Sequence, residues 1–423
     1  MIVRHFLSWA QTASAAQRAE GAGELARTYL YGDLDLSERR LAEIAFMSLA
    51  EDPSPLVRHA LADNFASAVD APRALVSALA CDQSAIAGPV LSRSPLLSEA
   101  ELVDCVAIGD AFAQTAIALR ARVPHGACAA LAEIGAREAC IALAVNQGAD
   151  LLDFSLRRMV ERFGEDGEMR EALLSRPHLP PSVRSALVSA VAASLSAFAI
   201  DCGWLSHERA ERLLREERDK ANVLIVAETA EYDGRRGVRE LVAHLRACGH
   251  LTSSLVLRAL LSCNRDLFEA SLVELSGLRE DKVAAMLKDF RGAGFAAVYM
   301  RAGLPEKFMP AFRAALLAHR EYGHAGGGAD PRLSLVMVQR VITACEAIND
   351  GQLDMLMALL RRFEREAAVE EARIETARIA EETKAPDVAT PTTFSGVTAR
   401  APHRPRRLRG RADGGVSVRI SQA

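Results

Sequence analysis

Aromatic side chains make up only 5% of this chain, although half of its 423 residues are hydrophobic. Runs of Val, Ile, Thr and aromatics, which suit a pleated surface, are nearly missing, and that argues against a sheet protein. A strong charge of one sign is also missing. The formal net charge is -4, so no global positive field draws in nucleic acid. No 18-residue apolar run is free of charge. The nearest, Val183 to Ile200, contains Arg184 and four serines and reads as a buried helix, not a membrane span. Met1 to Ala15 carries Arg4 and a short apolar patch without the pattern of a signal peptide. The eight cysteines (Cys81, Cys105, Cys128, Cys140, Cys202, Cys248, Cys263, Cys345) include no CxxC pair. Scattered through Ala-rich sequence, they read as small core residues in a reducing cytoplasm. GxSxG, P-loop and GxGxxG motifs are absent, and Gly326 to Gly328 lacks the Lys-Ser/Thr that a phosphate loop needs.

Alanine and leucine fill the apolar positions, and both favour helix. The sequence therefore predicts an all-α protein. Its organising stretch runs from Asp52 to Asn64. Asp52 suits an N-cap or Asx-turn, and Pro53 and Pro55 suit a turn and a first helical position. Leu56, Val57, Ala60, Leu61 and Asn64 then make one apolar stripe. Arg58 falls off that stripe, within reach of Asp52 or of a neighbouring repeat.

Weaker echoes follow. Asp82 opens a similar segment 30 residues on, and Asp110 another after a further 28. A second mark alternates with these: Arg93-Ser-Pro95, Arg122-Val-Pro124 and Arg176-Pro177, the first two copies 29 apart and the third 54 further on. A period near 30, built of two short helices, is the signature of an α-solenoid, because each pair leaves an apolar face that only the next pair covers. The expected anchors of that repeat are Asp52, Arg58, Leu61, Asp82, Pro95, Asp110, Pro124 and Pro177. We therefore expect N-terminal helices over 1–50, in which Ser37 is a plausible cap. Repeats follow over 51–190, and a further helical part of the same domain over 191–322. A Gly-rich linker (323–332) leads to two helices over 333–382, the second long and charged. The tail, 383–423, holds Pro386, Pro391, Pro402 and Pro405. It also carries six arginines between Arg400 and Arg411 with no acid among them, and it should be disordered.

The opening helices, the segment Leu49-Ala-Glu-Asp-Pro-Ser-Pro-Leu-Val-Arg, and the later Leu251-Thr-Ser-Ser-Leu-Val-Leu-Arg and Phe268-Glu-Ala-Ser-Leu-Val-Glu-Leu-Ser-Gly resemble the bacterial domain-of-unknown-function 2336 family, over about residues 15–310. The resemblance implies a cytoplasmic, HEAT-like helical protein and brings no catalytic residues.

Candidate chemistry is thin. His244, Cys248 and His250 are the clustered soft ligands, with Cys263 nearby. Their spacing matches no zinc finger, so they read as core or cap residues and no metal or cofactor is expected. Glu364, Glu366, Glu370, Glu371 and Glu375 alternate with arginines and read as a salt-bridged, solvated face. Residues 277–289 fit half of a helix-turn-helix, but Glu280, Asp281 and Asp289 would repel phosphates. The expected function is non-catalytic binding of a protein partner, in signalling or regulation. The alternative is an enzyme or nucleic-acid-binding protein on a HEAT-like scaffold. The arginine tail offers a weak contact with an anionic surface.

Overall fold

The computed structural model describes residues 2–232, 234–289, 292–322, 332–348 and 353–384. The expected linker and Arg-rich tail lie almost wholly outside these. The chain is all-α. Its first helices are α1 (Ile2–Ala10), α2 (Ala15–Tyr31), α3 (Leu36–Ala50), α4 (Pro55–Phe65), α5 (Arg73–Ala80) and α6 (Ser84–Arg93). Next come α7 (Glu99–Ile108), α8 (Ala111–Ala118), α9 (His125–Ile134), α10 (Arg137–Val145), α11 (Asp153–Phe163) and α12 (Gly167–Leu174). A longer pair follows, α13 (Pro181–Asp201) and α14 (His207–Tyr232). The next helices are α15 (Gly234–Ala247), α16 (Ser253–Leu261), α17 (Arg265–Ser276), α18 (Glu280–Lys288) and α19 (Ala293–Arg301). The series closes with α20 (Met309–Tyr322), α21 (Leu335–Glu346) and α22 (Asp354–Lys384). Among the described residues there is no strand, only a single parallel bridge between Val123 and Ala149.

Local chemistry sets the helix starts. Ser14 and Gln17 form a capping box on α2, and Ser98 and Glu101 form one on α7. Asp35, not Ser37, caps α3: its carboxylate accepts from the amides of Ser37 and Glu38. Asp52 makes the Asx-turn, accepting from the Ser54 amide at 2.8 Å, and Pro55 takes the first position of α4. The buried face of α4 is Val57, Leu61, Ala62 and Phe65, while Leu56 is 61% exposed. The expected stripe was thus one residue out of phase at its start, because a helix that begins at Pro55 turns Leu56 to solvent.

Neighbours alternate. α2 packs on α4, α4 on α6, α6 on α8, α8 on α10 and α10 on α12. In parallel, α1 packs on α3, α3 on α5, α7 on α9, α9 on α11 and α11 on α13. Each of these helices covers the face that the helix two places earlier leaves bare. The result is one apolar core from Ala22 to Leu187. At its N-terminal end the rings of Tyr29, Phe46 and Phe65 meet edge-on, Phe46 and Phe65 with centroids 4.9 Å apart. A second core runs from Val223 to Ala367, centred on Phe268, Phe295, Tyr299, Phe312 and Phe363. The chain divides into two units, Met1–Ala372 and Arg373–Ala423. In the second, the described end of α22 carries an Arg378–Glu375 ion pair at 2.7 Å.

Candidate interaction surface

The anchors read from sequence sit at the joints of the first core. Arg18 grips the Asp52 carboxylate through Nε and Nη2, at 2.7 and 2.9 Å, and holds it below the usual carboxylate range. Arg58 repeats the pattern on Asp82, at 2.6 and 3.1 Å, and its Nη1 also donates to the Asp52 carbonyl. Asp110 caps α8 through the Ala113 amide. Pro124 is the N-cap residue of α9, and Pro95 and Pro177 stand in the turns after α6 and α12. Leu61 is fully buried.

A second set of joints was marked in the sequence only at Arg176, which opens the Arg176-Pro177 segment; Arg120 and Arg162 were not singled out. Arg120, just past α8, donates to the carbonyls of Leu91 and Ser94 at the end of α6. Arg162, in the last turn of α11, donates to Ala132 and Gly135 at the end of α9, both at 2.8 Å. Arg176, past α12, donates to Ala144 and Asn146 at the end of α10. Each guanidinium satisfies terminal carbonyls that have no helical partner and sits at the negative end of a helix dipole. The separations are 26 to 32 residues. The constant element is this reach from each arginine back to its carbonyls, not the spacing between the arginines, which are 42 and 14 residues apart.

In the second core a polar cluster is enclosed by α14, α16 and α22. Arg258, 3% exposed, holds both oxygens of Glu366 at 2.7 Å and lies 4.7 Å from the Phe363 ring centroid. Glu366 is therefore not one of a solvated row, as the charged run suggested. It neutralises a buried guanidinium. Burial pushes the Asp219 carboxyl up to about 6 against the pull of Arg258, a hydrogen bond from Ser254, and Arg218. Asn222 is buried beside it along α14, and neither of its amide atoms has a partner.

The soft ligands do not converge. Cys248 Sγ lies 3.8 Å from both His244 nitrogens, and His250 Nε2 meets Arg218 Nη1 at 2.9 Å. His250 owes its position to the Schellman turn that ends α15, where its amide donates to the Leu245 carbonyl and Gly249 takes φ +71°. Burial lowers the pKa of both histidines. Among the described residues no group of three His, Cys, Asp or Glu side chains is placed to hold a metal. Cys105, Cys128, Cys140 and Cys345 are buried, but Cys81, Cys202 and Cys248 are exposed, so the cysteines are not uniformly core residues. Burial raises the Cys128 thiol to about 12 and Cys105, Cys140 and Cys345 to about 11, which keeps all four protonated and unreactive. On α18, Glu280 takes Arg235 and Arg239, and Asp281 pairs with Arg279.

An unfilled apolar surface lies elsewhere. A groove of about 650 Å³ runs between α13 and α14 and reaches α12. Its walls are Leu187, Val188, Val191, Leu195, Leu213 and Leu214, with Arg170, Arg184 and Glu217 at the margins. Beyond it, Phe198 and Trp204 meet edge-on with centroids 5.6 Å apart and are 57% and 71% exposed. Trp204 is presented by a second Schellman turn: Gly203 at φ +69°, and the Trp204 amide on the Ala199 carbonyl at 3.0 Å. α13 was expected to be buried. It is instead the described helix long and apolar enough to cross a bilayer by length and composition, and only 17% of its most apolar window is buried.

Residues 86–351 match the sequence model of a bacterial family described as an uncharacterised protein conserved in bacteria, DUF2336. The chain belongs to the DUF2336 family. The match begins inside α6 and takes in the whole α13–α14 pair and most of the second core. It starts later and ends later than the stretch over which the resemblance was read. No curated protein and no solved structure matches the chain.

Proposed function

We propose that this DUF2336 chain is a non-catalytic, cytoplasmic interaction protein. Its first part is a HEAT-like α-solenoid ending near residue 190, and it works by contact with protein through the α13–α14 surface. The observation that carries the reading is the groove and the aromatic pair beside it. Isolated exposed apolar residues are ordinary on a soluble surface, but a contiguous apolar patch marks a contact site. The joints described above support a rigid carrier for that surface, since the ends of α6, α9 and α10 are each held by a guanidinium from further along the chain.

The test is a photo-crosslinking amino acid placed at Phe198 in the full chain, expressed in a bacterial host. The same substitution at Ile44, which is 63% exposed on α3, serves as the control. The reading expects protein crosslinks at Phe198 that Ile44 does not give. Equal or no crosslinking at Phe198 would overturn it.

A further inference from the structure

The two cores leave a gap in the chain. The first ends at Leu187, with Ala190 packed against its edge, and the second begins at Val223. Between Ala190 and Val223 the one buried apolar residue is Ala210, and it belongs to neither core. Yet both stretches are helical throughout, as far as the turn at Cys202 to Ser206. Helices in proteins take most of their stability from packing an apolar face. Here the face exists and is uncovered: Leu195 is 64% exposed, Leu213 41% and Leu174 62%.

We infer that the protein contact at this surface is a second copy of the same chain, an inference that rests on the interaction-surface reading above. The two α13–α14 pairs close face to face into a four-helix bundle, and four arguments favour a copy. Near a two-fold axis each residue faces its own duplicate, so a single-sign charge there repels itself. From Ser185 to Ile200, α13 carries no charge at all. The outer flank mixes both signs: Glu208 and Glu211 alternate along α14 with Arg209, Arg212 and Arg215, while Glu216 and Glu217 are taken by Arg362 and Lys220, so an antiparallel copy can set Glu208 and Glu211 against these arginines.

The size also fits. Leu174, Leu195, Phe198, Trp204 and Leu213 expose together roughly 600 Å² of side chain, with an aromatic taken as ~200 Å², close to the ~800 Å² per partner of a standard stable interface. Finally, two antiparallel helices have one shared apolar face and no core, and a second such pair supplies the missing half.

A bilayer is the other apolar surroundings to consider. α13 is packed along α11, α14 and α15, and α14 is charged over the length that faces the groove. Inserting α13 would take those charges to the hydrocarbon edge at a cost of several kcal/mol.

The test uses the full chain. Size-exclusion chromatography with light scattering, from about 1 to about 100 μM, should give the mass of two chains, dissociating on dilution. Leu195→Glu and, separately, Trp204→Glu should each raise the dissociation midpoint at least tenfold, with the far-UV helical signal unchanged. Ile108→Glu, on the exposed end of α7, should leave it unmoved. Crosslinking at Phe198 in a mixture of ¹⁴N- and ¹⁵N-labelled chains should give mixed-isotope pairs joined through α13 or α14.

A wild type that stays monomeric at the highest concentration overturns the inference, as does a dimer indifferent to both charged variants. So do links confined to one chain. Flotation with phosphatidylethanolamine–phosphatidylglycerol vesicles, lost in Leu195→Glu, assigns the face to lipid and overturns it too. A monomer whose Phe198 links to a different protein in the cell keeps the interaction reading and removes the copy. The absence of any protein link removes both.

Discussion

The helices from α2 to α12 and the outer part of α13, residues 191–200, draw their apolar side chains from the same small set, chiefly Ala, Leu and Val, and meet opposite fates. Leu61, Leu75, Leu79 and Phe46 lie at 0 or 1% exposure because α3 packs on α5 and α4 packs on both α2 and α6. Leu195 and Phe198 lie on the part of α13 that its neighbours α11, α14 and α15 leave in solvent. The two regions teach that an apolar helix face is only half of a core. What decides its energetic value is whether the fold brings a second face to it.

That contrast can be broken most readily by truncating one aromatic in each region. Phe46→Ala should destabilise by about 3–5 kcal/mol and Leu61→Ala by about 2–5, as full truncations in a packed core do. Phe198→Ala, in the dilute protein, should shift the urea midpoint by no more than about 0.5 kcal/mol. Similar losses at Phe46 and Phe198 would mean that the pair is packed after all.

The inner half of α14 sharpens the comparison through pH. An ordinary aspartate titrates near 3.8, and Asp219 is raised to about 6. Stability from this group is therefore fully present below the lower value and is lost as pH rises through about 6. The difference amounts to about 3 kcal/mol between pH 3.5 and pH 8. Asp219→Asn stays neutral, so its thermal midpoint should match wild type near pH 4 and exceed it at pH 8. Equal midpoints at both pH values would show that Asp219 is not desolvated.

Smaller effects separate the two kinds of joint. Arg120→Ala leaves the Leu91 and Ser94 carbonyls without their guanidinium and should cost about 1–3 kcal/mol. Arg58→Ala removes a partly exposed contact with Asp82 and should cost about 1 kcal/mol. Urea melts that rank Arg58 above Arg120 would reverse the roles assigned to them.

Part of the first core was legible from single residues. Asp52 and Pro55 announced a turn and a helix start because their geometry is fixed locally, and Arg58 was placed near a neighbouring repeat because it fell off the stripe. Leu56 misled because register depends on which residue begins the helix. α13 misled for a different reason: from Ser185 to Ile200 it is apolar or small on every side, so no face is marked, and the pattern is the same whether neighbours arrive or not. Glu366 looked like any other acid on a charged helix because its partner, Arg258, is 108 residues away. Arg120 and Arg162 carried no signal, because they are irregularly spaced and an arginine at a helix end has no meaning until the carbonyls it meets, 26 to 30 residues earlier, are placed.

The central claim is that the α13–α14 pair is completed by a second chain while the first core completes itself. Hydrogen–deuterium exchange of the full chain at two concentrations, read peptide by peptide, tests it most directly. Peptides from α4, α6 and α8 should be protected equally at both. Peptides within 191–217 should exchange rapidly in the dilute sample, as helices with few buried contacts do, and slowly in the concentrated one. Protection of 191–217 equal to that of α6 in the dilute sample would contradict the account.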